Sequence, residues 1–165
     1  MDTLWAPWRI GYVTGEKPRG CIFCEKAAAD ADAANYILHR GESCFVLLNL
    51  FPYNNGHLMV VPYQHEAGIE ALDAGTLAEL MGLTQRAVSV LRQAMGPSGF
   101  NIGINQGTPA GAGVADHLHL HVVPRWAGDT NFMPVLADTR VMPQSLDSSY
   151  ALLRPGFVRL SATSE

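Results

Sequence analysis

The 165-residue chain has no apolar run approaching the roughly 18 residues of a membrane span, which argues against a helical membrane protein. Its opening, MDTLWAPWRIGYV, has no unbroken hydrophobic stretch. Pro7, Trp8 and Arg9 interrupt it, so a secretory leader is not expected and a cytoplasmic location is. Positive charge is in deficit: 11 Lys and Arg stand against 15 Asp and Glu, a net charge of −4. A general nucleic-acid coat needs the opposite balance, and no membrane surface is called for either. A local anion pocket stays open, because backbone N–H groups and a few histidines bind phosphate within an acidic protein. Cysteine is scarce and odd in number. Cys21 and Cys24 form C-I-F-C, and Cys44 stands alone in an apolar run. No disulfide framework fits that count in a reducing compartment, so the pair reads as metal-binding or redox and Cys44 as a small buried hydrophobe. There is no internal repeat and no linker that would split the chain.

What is present is the composition of one globular domain: 48% hydrophobic against 16% charged residues, on a length able to bury a full core. Residues 1–20 read as an irregular arm with Trp5, Trp8 and Tyr12 as anchors, and the Ala-rich stretch after Cys24 as a short helix or turn. YILHR (36–40), CFVLLNL (44–50) and HLMVVPY (57–63) read as strands. A Gly41–Glu42 hairpin turn and the turn-rich PYNNG separate them, and Pro62 marks the end of the third. Residues 74–95 carry the clearest helical period, through Leu77, Leu80, Met81, Thr84, Ala87, Val88, Leu91 and Met95, with Asp73 as N-cap and Gly96-Pro97 as terminator. FNIGINQ (100–106) reads as a strand with small residues at alternate places, QGTPAGAGVAD as a Gly-rich loop that lets backbone approach a ligand, and HLHLHVV (117–123) as a strand closed by Pro124. Beyond 127 a loop, a short helix at 143–153 and a loose last dozen residues are expected. Together these predict an α+β fold: an antiparallel sheet of about five strands with one long helix.

His117, His119 and His121 alternate with Leu118, Leu120 and Val122. A strand's period of two puts three imidazoles on one face and the aliphatics on the other. Three neighbouring imidazoles without partners would be costly in a core, so that face must meet something polar. Two chemistries use it. A His-only site holds zinc with an open position for water. Alternatively one imidazole attacks phosphorus while its neighbours bind the oxygens, helped by loop N–H donors in AGAGV (110–114). Cys-x-x-Cys is half of a tetrahedral zinc site. Its rivals are a redox pair and two plain buried thiols.

The triad segment resembles the His-φ-His-φ-His-φ-φ signature of the histidine-triad (HIT) superfamily. NLFPYNNGHLMVVPYQH is similar to its Gly-His and Pro-x-x-His elements, and FNIGINQGTPAGAG to its phosphate loop. The likeness covers about residues 20–126. With WAPWRIGYV and DHLHLHVVPRWAGDTNF it extends to a bacterial branch that looks like diadenosine tetraphosphate (Ap4A) phosphorylases. It implies a HIT domain over 21–126, an N-terminal arm over 1–20, and a C-terminal extension over 127–165 that packs on the domain or on a partner subunit. It implies that His119 is the nucleophile forming a nucleotidyl-histidine, that His121 binds phosphate oxygens or the leaving group, and that His117 supports them. Asn49 matches the ribose-holding position and Asn105 the polar residue at the phosphate or leaving group; Gly113 and Val114 match the loop N–H donors. One departure stands out: members with a Gly-Gln-Ser/Thr loop have Gln where this chain has Ala112, in a loop one residue longer here. Zinc-bearing members similarly combine CxxC with the Pro-x-x-His and first triad histidines, which implies one structural zinc per chain on Cys21, Cys24, His65 and His117, and no organic cofactor.

The function implied is nucleotidyl transfer or hydrolysis on Ap4A-like substrates, with water or inorganic phosphate as acceptor, in a homodimer or larger homo-oligomer. The alternatives are a nucleotide-binding regulatory module with little turnover, a nucleoside phosphoramidate hydrolase, and a His-metal oxygenase or hydrolase. Outside the site, His57 is expected to play a hydrogen-bonded structural role, His39 to lie on the surface, Arg125 to be solvated or paired, and Asp116 to serve in a turn. Trp126 is expected to cover either the base or a subunit interface.

Overall fold

A computed structural model describes residues 20–129 and 142–161. The elements run α1 (Ile22–Ala28), α2 (Asp32–Asn35), β1 (Ile37–Arg40), β2 (Cys44–Leu48), β3 (Leu58–Pro62), α3 (Ala74–Met95), β4 (Gly99–Ile104), β5 (Leu120–Arg125) and α4 (Leu146–Ser161). The five strands form one antiparallel sheet in the order β1-β2-β3-β5-β4, as the α+β reading predicts. No helix among the described residues is long and apolar enough to cross a membrane. The N-terminal arm with Trp5, Trp8 and Tyr12, most of the 128–134 loop, and the last four residues lie outside the described residues.

β2 and β3 are continuous apolar runs because both of their faces are covered. On one face Leu38, Cys44, Val46, Leu48, Leu58, Val60, Leu118, Leu120 and Val122 pack against Leu80, Leu83, Ala87, Val90 and Leu91 of α3. On the other, Ile37, Phe45, Leu47, Met59 and Val61 pack against Phe23 of α1. Helix α3 keeps its expected bounds. Asp73 accepts hydrogen bonds from the Thr76 N–H (3.0 Å) and hydroxyl (2.7 Å), a cap worth about 1 kcal/mol. Gly96 closes the helix in the left-handed conformation. Cys44 is fully buried, and burial pushes its thiol up to about 12, so it packs as a hydrophobe.

Three expectations need correction. The C-terminal segment is not loose after 153: α4 continues through Pro155 and Gly156 to Ser161, and Leu153 and Phe157 are fully buried in the α3-side core. Gly156 lies where a Cβ would come within 2.7 Å of Val90 Cγ1, so its missing side chain lets α4 pack closely on α3. Nor does Pro124 close β5, which runs to Arg125. Pairing to β3 already stops at Val122, and the Pro124 carbonyl, on the side where its N–H would point, accepts from Asn54 Nδ2 (3.1 Å), so no ladder donor is missed. His39 is half-buried rather than on the surface: it stacks on Phe157 and meets Arg86 at 3.1 Å.

Candidate active site

The three triad histidines share the α1 side of the sheet. Paired strand structure starts only at Leu120, so His117 and His119 lead into β5. The alternation still holds, with Leu118, Leu120 and Val122 in the opposite core. The histidine face is not open to water: His117, His119 and His121 are all buried. Phe23 lies over His117 and His119, with ring centroids 5.3 and 5.0 Å away. Met59 and Gly103 flank His121 on the neighbouring strands, and Asn105 directly follows the last β4–β5 pair, Ile104 with Leu120.

Hydrogen bonds fix the tautomers. His119 Nδ1 lies 2.9 Å from the His117 carbonyl, which can only accept. The proton therefore sits on Nδ1, and His119 Nε2 carries a lone pair. His57 Nδ1 accepts from the Tyr53 N–H at 3.0 Å, so His57 Nε2 bears a proton and donates it to His121 Nδ1 at 3.0 Å. That leaves His121 with its proton on Nε2, a buried donor with no hydrogen-bond partner among the described residues. An unpaired buried donor is costly unless a ligand oxygen meets it. Burial holds His117 and His119 below the ordinary histidine range. Burial, with the neighbouring His119, lowers His121 to about 4. All three rings are thus neutral at pH 7, the state a nitrogen nucleophile needs.

A second cluster adjoins the triad. His117 Nε2 donates to the Pro62 carbonyl at 2.9 Å, which turns its Nδ1 lone pair toward Cys21 Sγ (3.1 Å), Cys24 Sγ (3.6 Å) and His65 Nδ1 (3.2 Å). Cys24 Sγ and His65 Nδ1 are 3.4 Å apart, and the four donor atoms lie within 4.8 Å of one another. A tetrahedral zinc site with bonds of about 2.3 Å to sulfur and about 2.0–2.1 Å to nitrogen has edges of about 3.3–3.8 Å, so the four contacts of 3.1–3.6 Å lie close to such edges and the donor set fits the ion in chemistry. The backbone carbonyl on Nε2 is the usual outer partner of a metal-bound histidine. α1 delivers the two cysteines, and Arg40 holds its far end, donating to the Ala27 and Ala29 carbonyls at 2.7 and 2.9 Å.

The remaining candidates fall around this centre. Asn49 follows β2; its Oδ1 accepts from Phe51 N–H (2.9 Å) and its amide lies 3.4 Å from His57 Nδ1. The 107–114 loop turns at Gly107 and Gly111, with φ of 83° and 91° that side chains resist. Its turn hydrogen bonds end at Ala112, whose N–H donates to the Gly107 carbonyl, so Gly113 and Val114 lie beyond them. Ala112 is buried and carries no polar group toward the triad, whereas Val114 packs on the Phe23 side. Asp116 lies in a turn, and Arg125 is paired, bonding Asp129 through Nε (2.7 Å) and Asn101 through Nη1 (2.8 Å). Trp126 donates its indole N–H to the Met95 carbonyl at 3.3 Å. Sequence reading passed over Phe23 and Tyr53, whose ring lies 4.6 Å from His57 and 5.4 Å from His121. Both sit in motifs noticed for other reasons, the C-I-F-C knuckle and the PYNNG turn.

A profile of the HIT domain matches residues 31–128. Over 167 aligned residues the chain is 38% identical to the AP-4-A phosphorylase of Mycobacterium tuberculosis, covering 96% of this chain and 86% of that protein. A Zn-bound histidine triad family protein from Mycobacterium smegmatis superposes with a TM-score of 0.69 at 31% identity, over 87% of this chain and 97% of that one. A hypothetical histidine triad nucleotide-binding protein from Sulfolobus tokodaii shares the fold, with a TM-score of 0.66 at 24% identity, over 86% and 94% of the two chains. Sheet order, histidine spacing and near full-length likeness agree, and the chain belongs to the histidine-triad (HIT) family.

Proposed function

We propose that this protein is a nucleotidyl transferase that cleaves dinucleoside polyphosphates such as Ap4A through a covalent nucleotidyl-histidine, with inorganic phosphate as the favoured acceptor. One observation carries this reading: an unprotonated His119 Nε2 on the same buried face as the unpartnered Nε2–H of His121. In the first step His119 Nε2 attacks the α-phosphorus. The bond to the bridging oxygen breaks, and its electron pair leaves with the polyphosphate. His121 Nε2–H meets an oxygen of the reacting phosphate or of the leaving group. The N–H groups of Gly113 and Val114 hold the developing oxyanion. Asn49 holds the ribose, and Asn105, just past the end of β4, holds the phosphate or the leaving group. In the second step phosphate oxygen attacks the adenylyl-histidine and releases ADP and neutral His119.

The name of the Mycobacterium tuberculosis relative, an AP-4-A phosphorylase alike over nearly all of this chain, supports phosphate over water. Zinc on Cys21, Cys24, His65 and His117 is structural in this reading: it would tie α1 to the sheet and fix the ring of His117. The converging donor atoms and the Zn-bound relative from Mycobacterium smegmatis support it. The protein works as a cytoplasmic homodimer. Incubation with Ap4A, with and without phosphate, tests the reaction. The expected result is phosphate-dependent ADP and ATP in equal amounts. AMP and ATP at a rate indifferent to phosphate would make the enzyme a hydrolase, and tight nucleotide binding without products would make it a binding module.

A further inference from the structure

Phe23 stands between the two cysteines of the metal cluster, yet its ring points into the catalytic face and is only 4% exposed. It tilts at 44° to His119 and meets His117 edge-on at 66°. On its other side it packs with Ile37, Phe45, Leu47, Met59 and Val61. The ring is therefore one wall of the nucleophile's compartment. Among the described residues His119 makes one hydrogen bond, from Nδ1 to the His117 carbonyl. Rotation of its ring about that bond is opposed by packing, with Phe23 on one flank and His121, at 4.8 Å, on another.

The helix carrying Phe23 has seven residues and no side-chain cap at Cys21. Isolated helices shorter than about 12–15 residues are marginal in water, so α1 takes its order from what it is tied to. At its first turn those ties are the packing of Phe23 itself and the thiols, Cys21 against His117 and Cys24 against His65. The groups that would grip the metal thus bracket the residue that walls the nucleophile.

We propose that Phe23 is a positioning residue for His119, and that metal in the Cys21–Cys24–His65–His117 cluster holds the nucleophile in line through it. The inference rests on the reading of His119 as nucleophile. Bound metal would fix the first turn of α1 and press Phe23 on His119. Without metal the turn frays, the ring withdraws, water enters, and His119 Nε2 leaves the line of attack. A displacement of about 1 Å in a reacting group costs on the order of a hundredfold in rate.

The test compares Phe23→Leu with Phe45→Leu, an aromatic-to-leucine change in the same core cluster at a ring that stacks on Tyr63 rather than on a histidine. Zinc content, thermal midpoint, kcat and KM for Ap4A are measured in zinc-saturated protein. The His119 Cε1–H resonance is followed before and after chelation. Phe23→Leu is expected to keep its zinc and its KM and to lose at least about tenfold in kcat, a loss typical of disturbed positioning. Phe45→Leu should keep kcat within about twofold at a comparable loss of thermal midpoint, as expected of a purely structural change. In the wild type, chelation should move the His119 resonance as the ring current of Phe23 is lost. In Phe23→Leu the resonance should start displaced and respond little. Equal kcat in the two leucine variants, a wild-type resonance indifferent to chelation, or zinc lost from Phe23→Leu at saturating metal would each overturn the proposal. His119→Ala separates the two levels: if it turns over, the nucleophile reading fails, and if it is dead while Phe23→Leu is fully active, only this inference fails.

Discussion

His121 connects the chemistry of the site to its stability. Its ring takes a proton only near pH 4, against an ordinary value of 6.5, because it is buried and faces His119. Between those values the unfolded chain binds a proton that the folded chain refuses. Stability from this residue is therefore complete above pH 6.5 and declines as pH falls toward 4, by roughly 2–3 kcal/mol over the window. Urea midpoints at pH 7 and 4.5 should drop more steeply for wild type than for His121→Gln, and equal slopes would show that His121 is not the group responsible. His119→Ala should lose turnover by many powers of ten and still bind nucleotide, as expected when a nucleophile is removed from an otherwise intact pocket. Activity within tenfold of wild type would discard the covalent route. The triad was legible from its alternation and the cysteine pair from its short motif, whereas His65 and His117 joined that pair only through the family resemblance. Phe23 and Tyr53 were not legible, because their meaning comes from contacts across the fold: Phe23 against histidines more than ninety residues later, and Tyr53 against His121 as well as the nearby His57. The tautomers were hidden for the same reason, being set by the carbonyls of Pro62 and His117 and by the N–H of Tyr53.

Elements with strong periodicity were readable almost to the residue, as α3 shows with its Asp73 cap and its left-handed Gly96. α4 extends past the expected 143–153 helix, because the packing that holds its last turns against α3 lies far away in sequence. Only the packed structure reveals that Val90 fills the space beside Gly156. Gly156→Leu should therefore drive α4 from α3 and lower the thermal midpoint sharply, whereas the same change at Gly82 of α3, where a Cβ meets nothing within 4 Å, should cost far less. Leu153→Ala, in the same seam and fully buried, should cost about 2–5 kcal/mol in denaturant unfolding. At the other end of the chain, the cysteine pair sits at the N-cap and first turn of α1. A Cys21→Ser, Cys24→Ser double variant should lose about one zinc per chain, as expected for a four-ligand site, and melt earlier than the holoprotein. Unchanged metal content after that substitution would move the ion elsewhere, whereas a metal-free wild type with a reversible Cys21–Cys24 disulfide would favour redox chemistry.

At the scale of the molecule, the two sheet edges are treated differently. β1 is covered by α4: Tyr150 donates to the Ile37 carbonyl and Arg154 to that of Leu38, at 3.2 and 2.6 Å. β4 is the other edge, and among the described residues its strand partner is β5 alone. Its α3-side face presents Phe100, Ile102 and Ile104, with Ile102 48% exposed, and Met81 of α3 is 56% exposed. An uncovered edge with apolar side chains is a template for pairing, and a second copy of the same edge satisfies both its N–H groups and its side chains in a closed two-fold arrangement. Light scattering at tens of micromolar should accordingly give twice the 17.8 kDa chain mass. Ile102→Lys puts like charges close together across such an interface and should shift the mass toward monomer without loss of bound zinc, since the metal cluster lies on α1 and the β3 end of the sheet. A wild-type monomer at that concentration would sink the dimer, and a dimer untouched by Ile102→Lys would move the interface away from β4. Neither result would alter the tautomers of His119 and His121, which are fixed within a single chain.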